Sequence, residues 1–455
     1  MRTGQLLIGS LLAVVLAGSG CGPSDGNGDG GGGGDGGDNG DNGGPCQGLE
    51  CEQVECAGGA TTSVSGTVYA PNGSLPLSNA TVYVPNAAVD PFPEGASCYQ
   101  CGSDLSGDPL VQTTTDTNGR FTLREMPAAS DVPLVIQIGK WRVQTRIPEV
   151  RECEDTALPA EKTRLPRNQD EGDIPLMAIT TGGADALECL LRKIGLDDSE
   201  FTTESGSGRV QLYAGSRGSD LFDSQTAAGA TFTDATGLWN RLDTLRAYDV
   251  VFLSCESSQF EDTKPESARQ AMKDYADLGG RVFASHWHNY WLEAGPSPWP
   301  DLFSFDDQDD LGDVEADINT GFDRGSDLAD WLVTVDASTT RGKIDIVDTQ
   351  HTLTAVDESR TDKWIFKDET DNNSPSVQYM SFTTPIEDPA DQRCGRVVFS
   401  DIHVSTGDAG GGGDRGGLAF PSEACTTPVD SLTPQEKVLA FMIFDIASCV
   451  GPVVD

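Results

Sequence analysis

Only four histidines serve a chain of 455 residues, and two of them stand two apart in Gly279-Gly280-Arg281-Val282-Phe283-Ala284-Ser285-His286-Trp287-His288-Asn289-Tyr290-Trp291. A glycine pair that closes a helix leads into a short apolar strand, and the imidazoles sit where that strand ends. Open α/β sheets bind ligands beyond the carboxyl ends of their strands, so chemistry is expected here. On an extended segment, side chains two apart point to one side. His286 and His288, joined by His403, Asp401 or Glu256 from neighbouring strand ends, could therefore hold a divalent metal, although no cofactor is fixed by the sequence. The competing reading is a packed, hydrogen-bonded polar and aromatic cluster at the edge of the sheet.

Cys255 ends another strand, beside Glu256. Its thiol could act as a nucleophile with His286 as base, which makes His286, His403, Cys255 and Glu256 the candidate catalytic set. A disulfide, for example with Cys189, is the favoured alternative for an exported chain. Gly182 and Gly183, with Asp185 behind them, precede a helix whose first amides could receive an anion or a sugar hydroxyl. Glycines at such a turn are more often there for the turn alone. Trp287 and Tyr290 could stack on a sugar ring, although aromatic clusters are usually packing. The glycine-rich run 410–417 lacks the lysine of a phosphate loop, so nucleotide binding there is not expected.

The elements that must position these groups alternate between strand and helix patterns from residue 174 onward, as in a mostly parallel sheet. The runs 174–180, 210–213, 249–254, 281–285 and 396–400 are predicted strands. Helices are predicted at 187–194, 238–245 and 265–278. A last helix has Thr433 as its N-cap, Pro434 as its first residue and Glu436 completing a capping box. Upstream, from Ser63, apolar residues alternate with a period of two. Asn118-Gly119 between two strand-forming runs predicts a hairpin.

The N-terminus reads as an export signal, with Arg2 ahead of an apolar core from Leu6 to Ala17. Small residues then lead to Cys21. Residues 22–45 are almost entirely Gly, Asp and Asn, with nothing apolar to bury, and are expected to form a flexible tether. Twelve cysteines in an exported chain argue for disulfides. If the two halves were self-contained, six cysteines before residue 160 could pair fully, and five after it would leave one thiol over. Cys46, Cys51 and Cys56 suggest a disulfide knot. Cys98-Tyr99-Gln100-Cys101 has redox-motif spacing but no helix pattern after it, which favours a structural role. A formal charge of −42 argues against nucleic acid or an anionic surface as a partner.

Three resemblances follow from these segments. Leu16-Ala17-Gly18-Ser19-Gly20-Cys21 resembles a bacterial lipoprotein signal, which implies lipidation of Cys21 and attachment to the inner or outer membrane; a plain secretory signal cut near Ala17 or Gly20 is the alternative. Ser65-Gly66-Thr67-Val68-Tyr69, Leu77 to Val82 and Thr115 to Phe121 resemble the carboxypeptidase regulatory-like domain, a small, generally non-catalytic transthyretin-like β-sandwich. Tyr248 to Leu253, Leu278 to His286, Asp348-Thr349-Gln350-His351 and Gly395 to His403 resemble the ThuA-like group of the class I glutamine amidotransferase-like fold, associated with trehalose utilisation. His351 is followed by threonine where that group has proline. His286 stands where the amidotransferases carry their nucleophilic cysteine, so glutamine hydrolysis by that route is not available.

The expected organisation is multidomain. A signal peptide (1–21), a tether (22–45) and a Cys-rich segment (46–58) precede a small all-β sandwich (59–165) and an α/β three-layer, mostly parallel domain (172–455). The expected protein is exported and lipid-anchored in the cell envelope, with a binding or structural role toward a carbohydrate or another envelope component, and its α/β domain is catalytically degenerate. The alternative is a carbohydrate-active or metal-dependent enzyme using His286, His288 and His403.

Overall fold

The computed structural model describes residues 46–306, 308, 310–368, 374–404, 417–422, 425 and 432–451. The signal segment, Cys21, the tether and most of the 410–417 run lie outside the described residues. From Gln47 onward the chain forms one compact unit. It is a multi-sheet protein, mostly β with some helices.

Two small sheets come first. Arg120–Arg124, Ser63–Thr67 and Asp155–Ala157 form one; Pro109–Thr114, Thr81–Pro85, Ser130–Ile138 and Trp141–Glu149 form the other. Residues such as Val64, Val82, Leu123, Leu134 and Ile136 are fully buried; Arg120–Arg124 alternates with period two, whereas Thr81–Pro85 and Ser130–Ile138 are buried on both faces. The Asn118-Gly119 turn forms, but it does not make the predicted hairpin. Pro109–Thr114 pairs with Thr81–Pro85, whereas Arg120–Arg124 pairs with Ser63–Thr67. Thr115 is the cause: its hydroxyl donates to the Leu77 carbonyl, and its amide donates to the Ala80 carbonyl. These bonds hold the incoming strand to one sheet while the outgoing strand joins the other.

The large sheet is parallel over Thr233–Asp234, Val210–Ala214, Met177–Thr180, Val250–Leu253, Arg281–Ser285 and Gly395–Ser400. It continues antiparallel through Ser376–Thr384, Asp362–Lys367, Gly312–Ile318 and Lys343–Thr349. The central strands are short and buried on both faces, which is why their sequences are almost wholly apolar. Alternate residues enter two separate cores. Phe252, Phe283 and Val398 pack with the helices Leu187–Lys193 and Pro434–Ala447. Val251, Val282, Ala284 and Phe399 pack with Glu266–Asp277 on the other side.

The last helix starts as its sequence predicts. The Thr433 hydroxyl accepts from the Glu436 amide, and the Glu436 carboxylate accepts from the Thr433 amide. Nearly all of its residues are buried, because the small sheets cover the face that the large sheet leaves free. Trp141 meets Phe444 with ring centroids 5.6 Å apart, and the Trp331 indole donates to the Pro76 carbonyl.

The disulfides cross between the two halves. Cys56 pairs with Cys153 within the small sheets, but Cys98 pairs with Cys394 and Cys101 with Cys449. Cys98 and Cys101 are thus staples rather than a redox pair. Cys46 and Cys51 are also disulfide-bonded. Cys189 joins Cys425, and the disulfide expected at Cys255, for which Cys189 is one example of a partner, does not form: Cys255 is a buried free thiol. The Cys189–Cys425 bridge closes the helix Leu187–Lys193 onto the segment before the last helix.

Candidate functional site

Three parallel neighbours in the large sheet deliver the site. Val250–Leu253 lies beside Arg281–Ser285, with Leu253 opposite Ala284, and Ser285 lies opposite Ser400 of the next strand. Two residues beyond Leu253 is Cys255; the residue after Ser285 is His286; three beyond Ser400 is His403. Parallel strands end on the same edge, so the topology alone brings the thiol and two imidazoles to one place.

They meet there. Cys255 Sγ is 3.5 Å from His286 Nδ1, and the His286 and His403 ring centroids are 5.2 Å apart. One ligand atom from each of the three residues lies within 4.8 Å of the other two. Cys255 is fully buried and His286 is 4% exposed. Burial pushes the thiol pKa up and both imidazole pKa values down, His286 further by the neighbouring His403. The resting group is therefore a neutral thiol beside neutral imidazoles, not a thiolate–imidazolium pair. The amides of Ser257 and Trp287 point at the sulfur. Ser257 and His286 both have positive φ, a strained conformation for such residues, and it is at these two bends that the amides turn inward.

Asp185 locks the arrangement. One carboxylate oxygen accepts from the Ser285 hydroxyl at 2.6 Å, and the other accepts from the Val404 amide at 2.9 Å. It thus ties the residue before His286 to the residue after His403 and acts as an internal brace. Gly182 is where the chain passes closest: a Cβ there would lie 2.2 Å from the Cys255 carbonyl oxygen. The Ala184 amide donates to that same carbonyl, so this turn serves the strand end and not an anion cradle.

His288 does not join the site. Residues His286–Asn289 form a 3₁₀ turn, in which side chains two apart leave from different flanks instead of sharing a side. Its Nε2 faces the Ser254 carbonyl at 3.0 Å, and its Nδ1 accepts from the Trp291 indole at 2.9 Å. With both nitrogens engaged it has none left for a metal. Asp401 also turns away. Its carboxylate accepts from the Thr352 hydroxyl and from the Thr352 and Leu353 amides, and burial raises its pKa to about 7. Glu256 is claimed by Lys264 Nζ at 2.6 Å and by the Ser216 amide at 2.6 Å. His351 lies elsewhere, its Nε2 against the Pro375 carbonyl. Trp287 is half-buried against His286, with ring centroids 4.7 Å apart, and Tyr290 packs under the Arg269 guanidinium.

No family model matches the chain, and no curated protein matches it. Among solved structures, the chain is similar to a crystal structure described as thuA-like, from Bacteroides uniformis, at 9% identity and a TM-score of 0.30, covering 59% of this chain and 90% of that one. Two mutant cohesin–X-dockerin complexes of Acetivibrio cellulolyticus also match. One has 16% identity and a TM-score of 0.14, covering 33% of this chain and 80% of that one. The other has 14% identity and a TM-score of 0.17, covering 30% and 85%.

Two positions escaped the sequence reading. Lys264 is a fully buried lysine whose pKa is lowered by burial and supported by Glu256, and it sits 5.3 Å from the Trp239 ring. A lone lysine before a proline gives no signal of such a role. Ser285 looks like any strand residue, although its hydroxyl is what Asp185 grips. A cavity of about 1090 Å³ lies between the strand Pro109–Thr114 and the Cys101–Cys449 bridge, and no histidine lines it.

Proposed function

We propose that this chain is an exported protein, anchored in the cell envelope through a lipid on Cys21, that works by binding and not by turnover. On this reading the segment 59–165 is a transthyretin-like sandwich of the carboxypeptidase regulatory-like kind. Residues 172–455 form a three-layer ThuA-like, class I glutamine amidotransferase-like domain. Ten of the eleven described cysteines are disulfide-bonded, which suits an oxidising compartment outside the cytoplasm. Among the described residues, no helix is long and apolar enough to cross a membrane, which is consistent with attachment through lipid.

The observation that carries the non-catalytic reading is the closure of the strand-end cluster. The thiol is fully buried, His286 almost so, and His288 has both nitrogens committed to internal bonds. Atoms buried this deeply offer a soluble sugar no direct contact, although the His403 side chain itself is half-buried. The open groove beside the Cys101–Cys449 bridge, lined by Asn79, Tyr99, Asp104, Gln112 and Gln137 among others, is different. It offers amide, hydroxyl and carboxylate groups that can hydrogen-bond sugar hydroxyls, beside an aromatic ring that can pack on a sugar face.

The test has two parts. Mass spectrometry of the mature protein should find residue 21 as the acylated first residue, and Cys21→Ser should release the chain into the soluble fraction. Retention of that soluble variant on envelope polysaccharide should fall when Asn79 and Gln112 are both replaced by alanine. An unmodified N-terminus elsewhere would refute the anchor. Turnover of a glycan, lost in His286→Ala, would refute the non-catalytic reading.

A further inference from the structure

We infer that Cys255, His286 and His403 form a binding site for one soft transition-metal ion, with zinc the ion of first choice. The inference stands apart from the anchor and the glycan groove, and either could fail without the other.

The donor set comes first. One thiolate and two imidazoles select zinc or copper over calcium, magnesium or manganese, which prefer oxygen. A tetrahedral zinc ion with sulfur at about 2.3 Å and nitrogen at about 2.0–2.1 Å separates those two donors by about 3.6 Å. Cys255 Sγ and His286 Nδ1 stand 3.5 Å apart, so this edge is already at the coordinated length. The third donor lies within 4.8 Å of both and needs to approach by roughly 1 Å to complete a three-ligand face.

A plain hydrogen-bonded cluster explains less. A thiol donating to His286 Nδ1 would account for that one edge. It leaves His403 Nε2 shut away from solvent with no hydrogen-bond partner among the described residues. Buried imidazole nitrogens usually have one, and an ion would supply it. The amides of Ser257 and Trp287 aimed at Sγ match the outer bonds that commonly stabilise a metal-bound thiolate. Asp185 holds the two histidine-bearing turns at fixed separation through Ser285 and Val404, which is the role of a supporting shell. Closure of the site, which bars a sugar, does not bar an ion.

Cys255 is also the one free thiol among the described residues, in a protein where the others are oxidised. Coordination would keep it from further oxidation. On binding, the S–H bond breaks, the sulfur–metal bond forms with both electrons from sulfur, and the proton leaves to solvent.

The test uses the purified full-length chain carrying Cys21→Ser, stripped of metal, with Co²⁺ as an optical probe and Zn²⁺ as competitor. One Co²⁺ per chain should bind with a sulfur-to-cobalt charge-transfer band, and one Zn²⁺ should abolish it. Cys255→Ala should remove the band. His403→Gln should weaken Zn²⁺ binding at least tenfold, and His351→Gln should leave it unchanged. A folded chain with no such band, or a band that survives Cys255→Ala, overturns the proposal. Should Cys255→Ala fail to fold, thermal shift decides: Zn²⁺ must raise the melting temperature of the parent chain more than that of His403→Gln, and equal shifts overturn the proposal.

Discussion

Replacing Cys101 and Cys449 together by alanine tests how the two halves are held. The bridge spans 348 residues of sequence, but Cys98–Cys394 already joins the same regions. With that bond intact, the second bridge closes a ring made of three residues from Cys98 to Cys101 and fifty-five from Cys394 to Cys449. For a ring of roughly 58 residues the chain-entropy relation gives about 4 kcal/mol at 25 °C, and measured bridges typically return about 2–4 kcal/mol. The native structure gives little reason for strain relief to offset this. Next to the bridge, the Cys101 amide donates to the Val450 carbonyl and the Val450 amide to the Tyr99 carbonyl, so the cysteines sit in an existing two-bond ladder. Equilibrium unfolding in guanidinium chloride should therefore show a loss of about 2–4 kcal/mol, with unchanged native circular dichroism. Digestion without reduction should recover Cys98 linked to Cys394 and Cys101 linked to Cys449. An unaltered midpoint, or a peptide in which Cys98 is bound to Cys101, would refute the stapled arrangement.

Three further perturbations have defined outcomes. Lys264→Met should cost about 3–5 kcal/mol, because it leaves Glu256 charged and buried, and adding Glu256→Gln should recover most of that loss in a double-mutant cycle. Arg164 and Arg167 grip Glu171, which drives its pKa well below the usual carboxylate range. That contribution is fully present above about pH 4.5 and is lost as the pH falls toward the folded-state value. Glu171→Gln should therefore be less stable than the parent by about 1 kcal/mol at pH 7, with the gap closing toward pH 2; a constant gap would contradict the linkage. Cys255 should resist a thiol reagent in the folded chain and react once on unfolding without reductant, as peptide mapping would report; labelling in the native state would show that the site is open.

The sequence carried the strand ends and concealed what joins them. His286 and His403 were legible because each follows a short apolar strand, and parallel pairing then leaves little freedom about where they finish. His288 shows the limit of that reasoning. Extended backbone would put it on the same side as His286, but a single 3₁₀ turn sends it to another flank, onto Trp291 and Ser254. Asp401 turns away for a related cause: a carboxylate at a neighbouring strand end is a candidate ligand by position, yet the amides of Thr352 and Leu353 hold it. In both cases local hydrogen-bond demand, invisible to spacing, decided the side chain's direction. The disulfides fail differently. Nothing in Cys98-Tyr99-Gln100-Cys101 states that its partners lie 296 and 348 residues away, since pairing follows from how the small sheets dock on the last helix. The free thiol then follows by elimination. Once Cys394, Cys449 and Cys425 are drawn off to other partners, Cys255 is left a free thiol beside His286 and His403.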